Sequence, residues 1–207
     1  MAATDGRPAS PATLLLEPDQ GRMRGSTERY EKRMADLEGL YRDGEAFEAL
    51  LRSGGEDALA YWVETSVVEH GPGALSIGIS TLLPGRVGDE FAMTRGHIHA
   101  DPVHAELYYG LAGRGVMLLE TTTGETRALE IRPGVAVHVP GHWIHRSVNT
   151  GDEPLSTLFC YASDAGQDYS VIGDAGGMRR LVVATSDGWG LRDNPDHAGY
   201  RGGGTSR

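Results

Sequence analysis

The sequence predicts an all-β fold in which short strands build a sandwich or a barrel. From residue 59 onward, apolar residues come in short runs, several of which alternate with polar residues as on a half-buried strand. Turn-forming residues separate these runs, and the chain contains 30 glycines and 10 prolines. Consecutive short strands without long helices between them are typical of sandwiches and barrels.

The candidate strands follow one another with a turn signal at nearly every junction. Examples of these signals are Pro84-Gly85, Pro133-Gly134 and Thr150-Gly151. The pattern contains no linker that would divide the strands between two domains, and no internal repeat. Strands are expected over residues 61–68, 75–82, 91–97, 107–111, 116–121, 126–131, 135–139, 145–149, 155–161 and 179–184.

The segment before the strands has a different period. Tyr30, Met34, Leu37 and the next apolar residues fall at helical spacing between residues 26 and 51, and Gly44 interrupts the pattern. We therefore expect one or two amphipathic helices that pack on the β core.

The domain organisation follows from length and composition. The 207 residues are sufficient for a single domain with one sizeable core. Residues 26–198 are predicted to form this domain. Residues 1–25 are predicted to be a flexible extension and residues 199–207 a disordered tail, because neither end offers many side chains to bury.

The charge balance excludes two classes of partner. The net charge is −10 at pH 7, and Lys32 is the single lysine. A chain this acidic has no general attraction for nucleic acid or for an anionic membrane, so neither is expected as a partner. The single cysteine, Cys160, excludes an internal disulfide, and the N-terminus lacks the pattern of a signal peptide. No apolar run has membrane-spanning length, so a cytoplasmic protein is expected.

Three histidines and one glutamate form a candidate metal site. His97 and His99 are two residues apart, so on an extended segment both imidazoles point into the same cavity. Glu106 begins the next apolar run, and an antiparallel return would bring its carboxylate beside them. His145 follows the turn VPGHW and supplies a third imidazole. A lone histidine is more often a surface or core residue, so the prediction depends on the whole set, which suits iron, manganese, nickel or zinc better than calcium.

Two sequence blocks carry these residues in order. GHIHADPVHAELYYGLAG contains His-x-His and then the glutamate, and GVAVHVPGHWIHRSVN contains a glycine, a proline and then His145. The blocks resemble the two motifs of the cupins, whose fold is a double-stranded β-helix or jelly-roll barrel. The spacer between His99 and Glu106 is longer than the common one, and His142 stands where the second motif usually has glycine. The resemblance implies an all-β cupin barrel.

A larger part of the chain resembles one cupin family, the archaeal-type glucose-6-phosphate isomerases. The similar segments include LPGRVGDEFAMTRGH, AELYYGLAGRGVMLLE, PGHWIHRSVNTGDEP and YASDAGQDY, and they fall within residues 30–195. The resemblance implies a homodimer that binds a divalent metal, Fe2+ first and Mn2+, Ni2+ or Zn2+ as alternatives. It also implies an enzyme that interconverts glucose 6-phosphate and fructose 6-phosphate.

The site residues of this family carry over to matching positions. The metal ligands remain the three histidines and Glu106, and Glu106 and Tyr108 are expected to be catalytic. Three positions depart from the family: Ser80 replaces a threonine, His142 a tyrosine and Gln167 a histidine. Glutamine forms hydrogen bonds but cannot titrate near neutral pH. Substrate contacts are implied at Tyr61, Ser80, Thr94, Gly96, Tyr161, Gln167 and Tyr169.

The chemistry leaves alternatives open at this point. A divalent metal would polarise the sugar carbonyl, and Glu106 is the candidate to shuttle a proton between C1 and C2. A metal-bound carboxylate is a weaker base, so proton transfer by another group and a metal-assisted hydride shift are the other routes. The same ligands also permit an iron cupin that activates oxygen. The histidine lost at Gln167 would also fit a sensor that binds sugar phosphates without turnover.

Overall fold

Short antiparallel strands dominate the chain, as the turn signals predict. The computed structural model describes residues 10–200. Within these residues, no helix is long and apolar enough to cross a membrane. The α-helices are α1 (Gly44–Leu50) and α2 (Ser170–Asp174), with 3-10 turns at Pro18–Gln20 and Met34–Leu37 and an irregular helical turn at Leu51–Gly55. The strands are β1 (Leu15–Glu17), β2 (Arg22–Arg24), β3 (Glu28–Arg33), β4 (Leu59–Val67), β5 (Leu75–Leu82), β6 (Arg86–Val87), β7 (Glu90–Phe91), β8 (Glu106–Ala112), β9 (Gly115–Thr121), β10 (Thr126–Ile131), β11 (Ala136–Val139), β12 (Trp143–Asn149), β13 (Leu155–Ala162), β14 (Arg180–Thr185) and β15 (Gly188–Asp193).

Two sheets form the walls of the molecule. The larger has the strand order β11-β8-β13-β5-β4-β3, and the smaller has the order β10-β9-β12. A third sheet, β15-β14-β7-β6, and the hairpin β1-β2 complete the described strands. Every pairing between these strands is antiparallel. The all-β prediction is therefore confirmed.

Burial along the strands follows their place in the sheets. Strand β9 is the central strand of the small sheet, and every residue of Gly115–Glu120 is buried, so both of its faces are covered. Strand β8 instead alternates, with Glu106 and Tyr108 buried and Leu107 and Tyr109 exposed. Since successive side chains point to opposite faces of a strand, this alternation turns Glu106 and Tyr108 toward the interior.

The N-terminal segment differs from its predicted helical structure. Glu28–Arg33 is the edge strand β3, which pairs with β4. The helix α1 begins at Gly44, where the carboxylate of Asp43 accepts a hydrogen bond from the Ala46 N–H at 2.9 Å. The helix prediction over residues 26–51 is therefore right for α1 and wrong for β3. Pairing with β4 satisfies the backbone of β3 and leaves its charged side chains at a sheet edge, a tertiary effect that local spacing does not report.

An ordered hairpin lies where the sequence predicts a flexible extension over residues 1–25. Its strands β1 and β2 pack on the outer face of the large sheet. The indole N–H of Trp62 donates to the carbonyl of Gly21 at 2.7 Å, and Met23 is buried. The remaining part of the predicted extension, residues 1–9, lies outside the described residues.

At the C-terminal end, Tyr200 falls within residues 199–207, which the sequence predicts to be a disordered tail. Tyr200 is buried, and its hydroxyl donates to the carboxylate of Glu120. This contact anchors the end of the described chain to β9. Residues 201–207 lie outside the described residues.

The expected strand over residues 91–97 is mostly irregular. It reduces to β7 and to isolated bridges, in which Met93 pairs with Val148 and His97 with His145. These bridges attach the segment to β12. The irregular backbone that results positions the histidines described next.

Candidate active site

Two segments that are distant in sequence bring the predicted ligands together. The N–H of His97 donates to the carbonyl of His145 at 3.1 Å, and the N–H of His145 donates to the carbonyl of His97 at 2.9 Å. Gly96 has a φ of 74°, and a Cβ there would lie 3.0 Å from the His145 carbonyl oxygen and 2.9 Å from the Cβ of Arg146. Only glycine fits this position without displacing a neighbour. Glu106, at the start of β8, completes the group from the opposite sheet.

The four predicted ligand side chains form one buried cluster. Oε2 of Glu106 lies 3.0 Å from Nε2 of His145, 3.2 Å from Nε2 of His99 and 3.7 Å from Nε2 of His97. One candidate ligand atom from each residue lies within 4.8 Å of the other three. Ligands about 2.1 Å from one ion and at right angles to each other are about 3 Å apart, so this spacing suits a single ion.

The hydrogen bonds of the imidazole rings leave lone pairs facing the centre of the cluster. Nδ1 of His99 lies 3.0 Å from the His104 carbonyl oxygen, and Nδ1 of His145 lies 3.1 Å from the Trp143 carbonyl oxygen. A carbonyl only accepts, so each Nδ1 carries the proton and each Nε2 of a neutral ring carries a lone pair. Nε2 of His97 is buried without any hydrogen-bond partner. Converging lone pairs and an unpartnered buried nitrogen fit a bound cation.

Burial and neighbouring charges keep two of the ligands in metal-binding forms. Burial, together with His145, lowers the pKa of His97 to about 4, so this ring is neutral near pH 7. Burial alone would raise the pKa of Glu106, but its contacts with the three histidines hold that pKa well below its usual value. Neutral imidazole and ionised carboxylate are the forms that bind metals.

The cluster opens into a cavity of about 180 Å³ between the two walls. Burial raises the pKa of Tyr61 to about 12 and also raises the pKa values of Tyr30, Tyr161 and Tyr169, so these phenols are neutral at pH 7. Neutral hydroxyls both donate and accept hydrogen bonds, which suits a ligand rich in oxygen. The hydroxyl-bearing residues of the lining include Tyr30, Tyr61, Ser80, Thr94, Tyr161 and Tyr169.

Comparison with known protein families decides where the chain belongs. The model of the family described as glucose-6-phosphate isomerase (GPI) matches residues 31–198. The chain belongs to the glucose-6-phosphate isomerase family. The match confirms two predictions from the sequence, namely the glucose-6-phosphate isomerase family and an isomerase as the class of enzyme, and the antiparallel sheets agree with the predicted cupin barrel.

Individual relatives agree with the family match over most of the chain. A protein of Rhizobium meliloti (strain 1021) is 49% identical over 84% of this chain and 87% of its own length. The glucose-6-phosphate isomerase of Sinorhizobium medicae (strain WSM419) is 45% identical over 89% and 86%, and that of Thermococcus litoralis is 40% identical over 79% and 85%. A solved structure of Bacillus subtilis oxalate decarboxylase aligns with 51% of this chain and 26% of its own, at 23% identity and a TM-score of 0.42.

The residues that the isomerase resemblance assigns to the substrate lie around the same cavity. Tyr108 is buried at the wall of the cavity, and its ring centroid is 5.8 Å from that of His145. Burial, followed by the charge of Glu106, raises the pKa of Tyr108 well above its usual value. Each assignment to the substrate stays a prediction, but the geometry required for it is present. The cavity is lined by Tyr61, Ser80, Thr94, Gly96, Tyr108, Tyr161, Gln167 and Tyr169.

Two histidines lie away from the cavity wall. His99 is buried behind the other ligands and does not line the cavity. His142, which replaces a tyrosine of the isomerases, is exposed and outside the lining. Its φ of 67° is in the left-handed region, and this explains why the second cupin motif usually has glycine there.

Some lining residues are missing from the sequence-based set. Tyr30 lines the cavity from β3, although its spacing predicts a buried face of a helix. Ser147 and Phe159 line it from β12 and β13. Ser147 and Phe159 share strand parity with the predicted residues His145 and Tyr161, so parity could have found them. No local sequence pattern predicts that Tyr30 lines the cavity.

Proposed function

We propose that this member of the family interconverts glucose 6-phosphate and fructose 6-phosphate in the cavity next to the histidine–glutamate cluster. The proposal is supported by the presence of two features in the same cavity. One is a buried group of three imidazoles and a carboxylate, and the other is a wall of neutral hydroxyls. The first suits a Lewis-acidic ion beside a carbonyl, and the second suits the hydroxyls and phosphate of a sugar phosphate.

A divalent metal ion fits the cluster, and we propose Fe2+ as the resident ion. His97, His99, Glu106 and His145 would hold it, which would give the unpartnered Nε2 of His97 a bond. Mn2+, Ni2+ and Zn2+ are alternatives, because nitrogen and carboxylate donors accept them all. A bound ion would supply polarisation of the carbonyl oxygen and stabilisation of negative charge on the adjacent oxygens.

Two side chains of the protein itself would then have different catalytic roles. Glu106 is ionised and lies next to Tyr108 on the inner face of β8, so it is the candidate to carry the proton between C1 and C2. Tyr108 keeps its proton at neutral pH and is suited to donate a hydrogen bond to a substrate oxygen. Because Glu106 is held by three histidines, a direct hydride shift is the competing route. Deuterium from solvent is incorporated into the product only on the proton-transfer route.

An assay with defined metals tests the proposed activity. The purified protein is treated with a chelator, reloaded separately with Fe2+, Mn2+, Ni2+ or Zn2+, and assayed by coupling fructose 6-phosphate conversion to oxidation of the glucose 6-phosphate formed. We expect turnover to disappear on chelation and to return with at least one metal, without consumption of oxygen. Oxygen consumption without isomerisation would favour an oxygenase. Tight sugar-phosphate binding without turnover would favour a sensor.

A second copy of the chain is the proposed partner, on the outer face of the large sheet. There Leu75, Ile77, Leu107, Leu158 and Cys160 form an apolar patch, in which Leu107 pairs with Cys160 and Cys160 with Ile77. Leu75 is 53% and Leu107 42% exposed, and exposed apolar side chains that lie side by side on a sheet often mark a protein–protein interface. The patch carries no charge, which favours self-association of a chain with net charge −10.

A charge placed in this patch tests the proposed homodimer. Leu107→Glu is expected to convert a dimer into a monomer, because two carboxylates would be buried at the interface. The mass is measured by light scattering, with Glu130→Gln on exposed β10 as the control. A wild-type monomer at micromolar concentration would contradict the proposal.

The cytoplasm is the proposed location. A phosphorylated sugar is charged and does not cross a membrane unaided, so its isomerase is expected where the sugar phosphate is made. The single Cys160 is consistent with a reducing compartment.

A further inference from the structure

The irregular segment over residues 93–97 contains a β-bulge next to the metal-binding cluster. Two isolated bridges attach the segment to β12, in which Met93 pairs with Val148 and His97 pairs with His145. Between these bridges the segment has three residues, whereas β12 has two. One residue of the segment is therefore extra, and an extra residue in one of two antiparallel strands is a β-bulge.

The bulge decides the direction in which His97 points. Successive side chains alternate between the two faces of a strand, so residues three apart normally point to opposite faces. Thr94 and His97 are three apart, yet both line the cavity. The extra residue explains this, because it shifts the alternation by one, and Gly96 supplies a φ of 74° at this point. Without the bulge, His97 would face away from Glu106.

The side chain of Arg146 binds the backbone of the bulge. Its Nη2 donates to the carbonyl of Arg95 at 2.7 Å, and its Nη1 donates to Sδ of Met93 at 2.8 Å. Within residues 10–200, no backbone N–H donates to the Arg95 carbonyl. A carbonyl that the bulge removes from the regular ladder is thus satisfied by the guanidinium of the residue opposite.

The charge of Arg146 is buried without a close counter-ion. The residue is 4% exposed, and its Nε has no hydrogen-bond partner. In the part of the chain that the structure describes, no carboxylate oxygen lies within 4.0 Å of the guanidinium. Burying an unpaired cation costs free energy. An apolar residue would avoid this cost but would leave the Arg95 carbonyl without a partner, so the hydrogen bonds are the contribution specific to arginine.

We propose that Arg146 is a positioning residue of the metal site, holding the β-bulge at Arg95 and Gly96 so that His97 faces the other ligands. Arg146 acts through the backbone of residues 93–97 and does not itself bind the metal or the substrate. The inference rests on the proposed function, because that function requires a metal ion at His97.

Binding of Co2+ tests this role without turnover. Nitrogen and carboxylate ligands accept Co2+, and its visible absorption spectrum reports the number and geometry of its ligands. The chelator-treated wild type, Arg146→Met and Arg146→Lys are titrated with Co2+ against a competing chelator. Arg146→Met has no donor, so its affinity for Co2+ should fall about tenfold to a hundredfold and its spectrum should change. Arg146→Lys keeps one donor group without the guanidinium fork, so it should recover part of the affinity.

Leu118→Val is the matched control. Leu118 pairs directly with Arg146 across the small sheet and is equally buried, but it does not belong to the bulge. Removing one of its methylene groups should lower the unfolding temperature and leave the Co2+ affinity and spectrum unchanged. A merely structural role for Arg146 would give this same result, whereas the proposed role predicts a changed Co2+ site.

The outcomes separate this inference from the function on which it rests. A wild-type protein that binds no divalent ion would contradict the proposed function. A wild type that binds Co2+, together with an Arg146→Met protein of equal affinity and identical spectrum, would overturn only the role of Arg146. If Arg146→Met does not fold, Arg146→Lys decides, and a folded Arg146→Lys protein with the affinity and spectrum of the wild type would overturn the same role.

Discussion

The two ends of the cavity are built differently. At the deep end, three histidines and Glu106 are buried, backbone carbonyls fix the rings of His99 and His145, and the candidate ligand atoms converge. At the mouth, Tyr30, Tyr161 and Tyr169 are partly exposed, and their raised pKa values keep their hydroxyls protonated at neutral pH. The deep end has the charge and rigidity that chemistry requires, and the mouth has exchangeable hydrogen bonds that suit recognition. Changes at the deep end should therefore alter kcat, and changes at the mouth should alter KM.

The largest expected effect is that of Glu106→Gln at the deep end. Removing a group that transfers a proton typically costs 10²- to 10⁴-fold, so kcat should fall by about that factor. The far-ultraviolet circular dichroism should stay unchanged, because the amide has nearly the volume of the carboxyl group. The control is Glu130→Gln, which removes an exposed carboxylate on β10. Normal turnover in Glu106→Gln would exclude Glu106 from the chemistry.

A smaller effect is expected from Tyr161→Phe at the mouth. The hydroxyl is one of several in the lining, so its loss should raise KM about twofold to tenfold and leave kcat within about twofold. Steady-state kinetics with fructose 6-phosphate measure both constants, with Tyr109→Phe as the control. A tenfold loss of kcat at constant KM would instead make Tyr161 part of the chemistry and weaken the contrast between the two ends.

The third effect leaves turnover at neutral pH unchanged and concerns stability at high pH. Burial raises the pKa of Tyr61 to about 12, whereas an unfolded tyrosine titrates near 10. The stabilising contribution is therefore complete below about pH 10 and is lost as the pH rises toward 12, by about 2 kcal/mol.

The unfolding temperature as a function of pH measures this loss. It should fall between about pH 10 and pH 12 in the wild type, and less steeply in Tyr61→Phe. Equal slopes in the two proteins would mean that the Tyr61 phenol ionises freely and is not a permanently protonated donor.

The metal-site residues at the deep end could be predicted from the sequence, because residue spacing and side-chain chemistry identify them. His97 and His99 share a face by spacing, and Glu106 and His145 lie in two sequence blocks that resemble the cupin motifs. The structure brings all four together. The residues that the family resemblance assigns to the substrate line the same cavity, and their contact with a substrate stays a prediction.

The mouth could not be predicted in the same way. Tyr30 has helical spacing with Met34 because a strand is followed directly by a 3-10 turn, and the two patterns coincide over one turn. The strand is specified by its partner β4, which lies about 30 residues downstream. The anchoring of Tyr200 by Glu120 is likewise a long-range contact that a glycine-rich end does not indicate.

The central claim is that the four-residue cluster holds the metal on which turnover depends. The most direct test measures metal content per chain, by elemental analysis, in the wild type, in His145→Ala and in His142→Ala. The last is the matched control, because His142 is exposed and outside the cavity. We predict one divalent ion per chain in the wild type and in His142→Ala, and a loss of both metal and isomerase activity in His145→Ala. Full metal content in His145→Ala would contradict the account.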